Sequence, residues 1–369
     1  MKILANNLKR QYDLHAFEYE AKALEVLRSG WYIMGNELSS FENEFSAYIG
    51  SEYCVGLASG LDALWIAFKA LHIGKGDEVI VCANAYIACV MGITINDAAP
   101  VFVEPDIYDN IDADAIESKI THHTKAILAV HLYGQSCDMT KIMDIAKRYN
   151  LKVVEDCAQS HGTKWNGKTC GTFGDISCFS FYPTKGLGAF GDAGAIVTDN
   201  KEYADYIRTY RNYGSEKHYH NKMVGANSRL DELQAGLLRV KLQYLDAFND
   251  ERVRITDRYN NEIHNPCIRP LATRPCSTNT WHQYVIHCTY RDELMEYLAS
   301  YEIGTIIHYP IQPHQSEAYA YLGYGEGSFP ITEKNAQQIL SLPIYNGITE
   351  KEQSFVIDKL NAFQPKEIH

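Results

Sequence analysis

The sequence predicts an α/β protein: a large domain on a mostly parallel central sheet, then a smaller C-terminal α/β domain. Three observations carry this. From about Glu52 onward, short strand-like runs alternate with helical ones. The strand-like runs are apolar throughout instead of alternating with polar residues, as in a sheet covered on both faces. The composition then changes at NPCIRPLATRPCSTN (265–279), a Pro-, Thr- and Asn-rich connection, after which a second and shorter alternation begins.

The elements follow in order. SGLDALWIAFKALHIG (59–74) places its apolar residues on a helical period, and GDEVIVCA (76–83) is a short β-branched run. AILAVHL (126–132) and LKVVED (151–156) read as strands separated by the amphipathic helix MTKIMDIAKRY (139–149). ISCFSFYP (176–183) and AGAIVTD (193–199) continue the series, and a long helical region runs from Arg229 to about Asn261. Beyond the connection lie a strand (WHQYVIHC), a helix (DELMEYLASY), a strand (TIIHYP) and a final helix (TEKEQSFVIDKLNAF). These spans put the large domain at residues 1–244 and the small one at 245–369.

The 369 residues are 46% hydrophobic, enough for a sizeable core in two domains. The formal net charge of −12 repels polyanions, so nucleic acid is not the expected partner. Ten cysteines are scattered without a CxxC pair, as expected of reduced thiols and not of a disulfide framework. No apolar signal-peptide core follows Met1 and no run approaches a membrane span, so the expectation is a cytoplasmic protein without a membrane partner.

Two residues suggest chemistry. VVEDCAQSHG puts Asp156 at the carboxyl end of a strand, and FSFYPTK puts Lys185 at the end of a later one. Carboxyl ends of strands form the ligand crevice of open α/β sheets, so both side chains can enter one pocket. An isolated Asp and Lys more often form a structural ion pair. Here, however, Phe179, Phe181, Tyr182, Leu187 and Phe190 surround the lysine. Such surroundings disfavour the ammonium and make the amine a nucleophile toward carbonyls. Pyridoxal phosphate catalysis uses such a pair together: the lysine forms a Schiff base, and the carboxylate keeps the pyridinium protonated. Ser59 and Gly60, just before a helix, offer a phosphate cradle, although Ser59 on its own reads as a simple N-cap. Ser180 can add a hydroxyl. Tyr86, in ANAYIACV, is a candidate ring platform or a core tyrosine.

SGLDALW, ANAYIA, VEDCAQSHG, FSFYPTKGLGAFGDAGA and GANSRLDELQAGLL, in that order over nearly the whole chain, resemble the sugar-nucleotide aminotransferases. The resemblance implies the aspartate-aminotransferase (type I) fold of pyridoxal-phosphate enzymes and a homodimer with shared active sites. It implies that Lys185 is the Schiff-base lysine and Asp156 the pyridinium partner. Gln159 is then the residue beside the phenolic oxygen and Tyr86 the stacking aromatic. Ser59, Gly60 and Ser180 become phosphate ligands, with Asn227 donated by the other subunit. Leu61 stands where many relatives carry a hydroxyl, so only its backbone N–H can serve. The family's dehydratases replace the lysine by histidine; Lys185 therefore points to transamination, with glutamate as donor, pyridoxamine phosphate as intermediate and a nucleotide-linked keto sugar as acceptor.

Tyr182, His308, Tyr309 and His314 are the candidates for the sugar side, although a lone histidine in a strand is as readily structural. HYH, in the aromatic-rich loop 211–225, has metal-like spacing without a carboxylate or thiol set, so no metal is expected. NNLKRQYD and VHLYGQSCDM most resemble enzymes that aminate C3 of dTDP-3-keto-6-deoxyhexoses, with C4-aminating relatives as the alternative. Two rival classes remain at this stage. GLGAFG (186–191) fits a dinucleotide fingerprint, but DAGAIVTD follows it as a strand where a helix is required. A regulatory role would call for an added basic DNA-binding extension, which the sequence does not show.

Overall fold

The computed structural model describes residues 1–217 and 219–366. Seven strands form the large sheet: β1 (Tyr53–Leu57), β2 (Glu78–Cys82), β3 (Ala99–Val103), β4 (Thr124–Val130), β5 (Lys152–Asp156), β6 (Ile176–Ser180) and β7 (Gly194–Thr198). Their spatial order is β1-β7-β6-β5-β4-β2-β3. Pairing is parallel from β3 to β6, and β7 runs antiparallel to both of its neighbours. The reversal follows from the connection. Residues 181–193 contain no helix to carry a crossover, so the chain turns back at the carboxyl edge of the sheet and re-enters it. That connection holds Lys185, and its glycines lead into a strand, so the dinucleotide fingerprint fails on its structural context.

Strand periodicity builds two cores from one sheet. Val79 and Val81 of β2 face one apolar layer while Ile80 and Cys82 face the other. Helices Gly60–Ala70, Ile87–Thr94 and Lys201–Tyr210 cover the first face; Asn36–Ile49, Met139–Tyr149 and Glu232–Leu242 cover the second. The amphipathic run 139–149 forms its helix to the residue, closed by Asn150 in the left-handed region. The long helical region is two helices, Glu232–Leu242 and Leu245–Glu262.

We propose a domain division after Tyr244, between those two helices. The small layer packs Ile255, Tyr259, Leu294, Leu298 and Val356 around the antiparallel strands β8 (Arg269–Pro270), β9 (Tyr284–His287) and β10 (Ile339–Leu342). Ile3 lies in this core and bridges to Ile303, so the first residues of the chain belong with the small layer. The expected strand TIIHYP is not formed; only Ile306 bridges to Ser341. Side chains satisfy its later carbonyls instead of a neighbouring strand: Tyr133 Oη donates to His308 O at 2.6 Å and Gln312 Nε2 to Tyr309 O at 2.8 Å. In the segment 211–225 the described residues form a short hairpin, 215–217 against 220–221, with His218 of the HYH spacing outside them.

Part of the GANSRLDELQAGLL motif proves architectural. Glu232, 3% exposed, accepts N–H bonds from Gly35 (2.8 Å), Glu37 (2.8 Å) and Leu38 (3.0 Å). It thus caps the helix Asn36–Ile49, whose own N-terminus lacks a side-chain cap. Glu232→Ala is expected to cost about 2–3 kcal/mol, because buried donors lose their acceptor. A chemical denaturation curve indistinguishable from wild type would contradict this.

Candidate active site

The carboxyl edges of β4, β5 and β6 open on a cavity of about 370 Å³. Ser59, Gly60, Leu61, Tyr86, Asp156, Gln159, Ser180, Tyr182, Lys185, His308 and Tyr309 all line it. Asp156 ends β5, so it points to the crevice while Glu155, its neighbour, points the other way. Glu155 is buried and accepts bonds from the N–H groups of Gly171, Phe173 and Gly174. Ser177 Oγ donates to it as well, and His131 Nε2 lies 3.0 Å from it. Burial raises its carboxyl, but His131 and the Gly171 and Gly174 donors outweigh this and hold it below the ordinary range, and the contacts pin the loop that leads into β6. His131 Nδ1 also accepts the Cys137 N–H, so the His131–Glu155–Cys157 cluster is a hydrogen-bonded support, not an open metal site.

Lys185 sits beyond the end of β6 and not on it. β6 stops at Ser180, and a turn closed by Lys185 N–H to Tyr182 O (2.8 Å) lifts the side chain over the sheet edge. Gly188 permits this path, because a Cβ there would lie 2.3 Å from Pro183 O. The amine makes no hydrogen bond or ion pair to the described residues, and burial pushes its pKa down to about 8 against the pull of Asp156.

Asp156 is oriented from two sides: Ala158 N–H donates to Oδ1 at 2.9 Å and the Cys89 thiol to Oδ2 at 3.0 Å. Burial and Asp156 push the Cys89 thiol up, so it stays a neutral S–H donor. Cys89 escaped the sequence reading, although it lies one helical turn beyond Tyr86. Cys89→Ala is expected to lower turnover about tenfold, with Cys89→Ser close to wild type. Equal loss in the two variants would argue against a donor role.

At the other end of the cavity Ser59 caps the helix Gly60–Ala70, its Oγ accepting Asp62 N–H at 3.1 Å. The hydroxyl proton stays available to an anion, as do the first-turn N–H groups of Gly60 and Leu61. The N-cap role is the one seen, and it leaves room for the phosphate role. The cradle excludes side chains: a Cβ on Gly60 would meet Ser180 Cβ at 2.4 Å, and one on Gly194 would meet the Ser59 carbonyl carbon at 2.3 Å. Gln159 is held by Tyr133 N–H on Oε1 (2.7 Å) and donates from Nε2 to Tyr309 Oη (3.1 Å). Tyr86, 45% exposed, offers its ring to the cavity, 4.7 Å from that of Tyr309.

Tyr182 stands half-exposed at the rim. His308 bonds Ser341 Oγ through Nδ1 at 2.8 Å, and burial beside Lys185 lowers its pKa to about 4, so it is neutral. His314 is not brought to the site. It is 2% exposed, packs edge-on against Phe329 and places Nε2 3.2 Å from Glu333. The short 3-10 turn 313–315 rotates it into the core behind the loop. Asn227 is not among the lining residues; its neighbour Ser228 moors the segment under the cradle helix by donating to Asp62 Oδ2 at 2.6 Å. Thr184, His282 and Gln283 line the cavity without having been singled out. The last two come from the small layer, which no local pattern connects to Lys185.

A carboxylate at one end, an unpaired amine in the middle and a glycine-lined helix N-terminus at the other fit the ring nitrogen, aldehyde and phosphate of pyridoxal phosphate. Fold and site define a transferase of the aspartate-aminotransferase (type I) class. The model of the DegT/DnrJ/EryC1/StrS aminotransferase family matches residues 15–361. The chain belongs to that family. It is 50% identical over 339 residues to the dTDP-3-amino-3,6-dideoxy-alpha-D-galactopyranose transaminase of Aneurinibacillus thermoaerophilus, covering 92% of this chain and 93% of the relative. It is 42% identical to the dTDP-3-amino-3,4,6-trideoxy-alpha-D-glucose transaminase of Streptomyces venezuelae, covering 97% and 95%. The crystal structure of S. venezuelae DesV in complex with a ketimine intermediate superposes with a TM-score of 0.96 at 41% identity, over 98% of both chains. No helix among the described residues is long and apolar enough to cross a membrane.

Proposed function

We propose that this chain aminates C3 of a dTDP-linked 3-keto-6-deoxyhexose, with glutamate as donor, pyridoxal phosphate as cofactor and a homodimer as the working unit. The observation that carries the reaction class is the Lys185 amine, free of partners in the described residues, sharing one cavity with Asp156. The similarity to the two C3-amino-sugar transaminases supports the position and the nucleotide.

Pyridoxal phosphate, when bound, supplies a carbonyl that exchanges amino groups and a ring that takes up electron density as the substrate carbon loses its proton. Asp156, held by Ala158 and Cys89, would accept the ring N–H and keep that nitrogen cationic. Ser59, Ser180 and the N–H groups of Gly60 and Leu61 would hold the phosphate, and Asn227 of the partner subunit would complete the set. Tyr86 would stack on the ring, and Gln159 would serve its phenolic oxygen. Lys185 Nζ carries the proton to and from the reacting carbon as general base and acid, for which a pKa of about 8 suits neutral solution. Tyr182, His308 and Tyr309 meet the nucleotide sugar.

The test is a panel of dTDP- and UDP-linked keto sugars with glutamate, products assigned by NMR. A 3-amino product from the dTDP-3-keto sugar is expected; a product aminated only at C4 would overturn the regiochemistry. The Lys185 amine is protonated below about 8 and becomes neutral above it. Capture of pyridoxal phosphate by the apo-protein, followed by visible absorbance, should therefore accelerate as pH rises through about 8. A flat profile across that range contradicts the lowered pKa.

A further inference from the structure

Two side chains from the small layer stand in the cavity wall with polarity that nothing in the protein uses. His282 is 6% exposed and Gln283 8% exposed. His282 Nδ1 and Gln283 Oε1 are buried and without a hydrogen-bond partner. Orphaned groups cost stability unless something satisfies them, and unlike others in this protein, such as His314 Nδ1 in the core, these two belong to residues of the cavity wall. A smaller cavity of about 70 Å³ adjoins the main one and shares Thr184, His282, Gln283 and His308 with it. The pair thus sits at the junction of the two spaces.

The backbone is bent to put them there. Trp281, immediately before the pair, is in the left-handed region (φ 49°), which a bulky side chain rarely adopts. The buried Arg252 holds that conformation, its Nη1 lying 3.2 Å from Trp281 O and 3.3 Å from His282 O. Thr280 N–H is tied to Gly134 O, which fixes the approach to the bend. Backbone strain maintained by a buried cation, next to two unsatisfied side chains that line a cavity, is the pattern of a recognition site.

The chemistry of the wall selects the ligand group. Burial, with Lys185 and Arg252 nearby, holds His282 far below its ordinary range, so the imidazole is neutral. The Gln283 amide is neutral as well. Lys185 is the one lysine or arginine among the described residues lining either cavity. Apart from Lys185, which the cofactor engages, a carboxylate or phosphate would find no lysine or arginine lining this wall. A hydroxyl, which donates and accepts at once, finds both an imidazole and an amide.

We propose that His282 and Gln283 read a ring hydroxyl flanking the reacting carbon of the keto sugar, and so set which deoxy sugar is accepted. This rests on the reading of the site as a sugar-nucleotide aminotransferase. The test uses the holoenzyme with three probes: a dTDP-3-amino-3,6-dideoxyhexose and its 4-deoxy and 2-deoxy counterparts, each turned over with 2-oxoglutarate. Wild type is expected to disfavour one deoxy probe about tenfold or more in kcat/KM, and Gln283→Leu to collapse that preference. The glutamate half-reaction, followed by cofactor absorbance, should be unchanged and reports that the variant is folded and loaded. Gln283→Met is the second variant if leucine prevents loading. Equal losses on all three probes, or a raised KM for glutamate, overturn the proposal; the latter would assign the pair to the donor carboxylate. Failure of wild type on every dTDP-3-amino sugar would instead refute the proposed function. The hydroxyl proposal would then be decided by the same variants on the amino sugar that is turned over and its deoxy analogues.

Discussion

Lys185→Ala is expected to abolish amination, lowering turnover by at least about 10³–10⁴-fold, while the chain folds and still binds pyridoxamine phosphate. The magnitude follows from two lost roles. The amine is the one basic side chain in the described lining able to gain and lose a proton near neutral pH; His308 titrates near 4, and His282 is held neutral. In the proposed function it is also the attachment point for the cofactor carbonyl, so borohydride treatment of the wild-type holoenzyme should fix a pyridoxyl group on the peptide spanning residue 185. Binding of the pyridoxamine form should survive, because Asp156, Ser59, Ser180 and Gln159 are positioned by contacts that do not involve Lys185. Wild-type turnover in the variant, or pyridoxyl label on another peptide, would remove the basis of the proposed function.

Asp156→Asn is expected to leave cofactor bound and to reduce turnover by about 10²–10⁴-fold. The amide is nearly isosteric and its Oδ1 can still take the Ala158 N–H, so the loop after β5 should hold. Its lost charge no longer keeps the ring nitrogen cationic, and proton removal at the substrate carbon slows because the ring takes up electrons poorly. The absorbance of bound cofactor should shift with the change in ring protonation. A variant with normal turnover and an unshifted spectrum would show that Asp156 is a structural acid.

The local chemistry was legible in sequence because the same residues that make strands and turns carry it. Apolar runs such as VIVC and AILAV predicted strands buried on both faces, and MTKIMDIAKRY predicted its helix to the residue. Asp156 was read at a strand end, where it lies. The TIIHYP strand failed because strand formation depends on which neighbour satisfies the carbonyls, and here two side chains do so, one from the distant Tyr133 and one from the nearby Gln312. His314 was misplaced for a related reason: a short turn sets its direction, and its partners Phe329 and Glu333 lie well along the chain. Glu232 lies in one of the segments that carry the family resemblance, yet its contacts are with a helix start nearly two hundred residues earlier.

Residue order alone specified the fold class and pointed to Lys185 and Asp156 as neighbours in one crevice, since side-chain periodicity and the positions of turn residues are local properties. What required the folded chain was everything that depends on convergence. The reversal of β7, the support of Glu155 beneath Asp156, the thiol of Cys89 on its carboxylate and the approach of His282 and Gln283 all join segments far apart in sequence. Long-range packing selects such contacts, and a short window of sequence contains only one of the two partners.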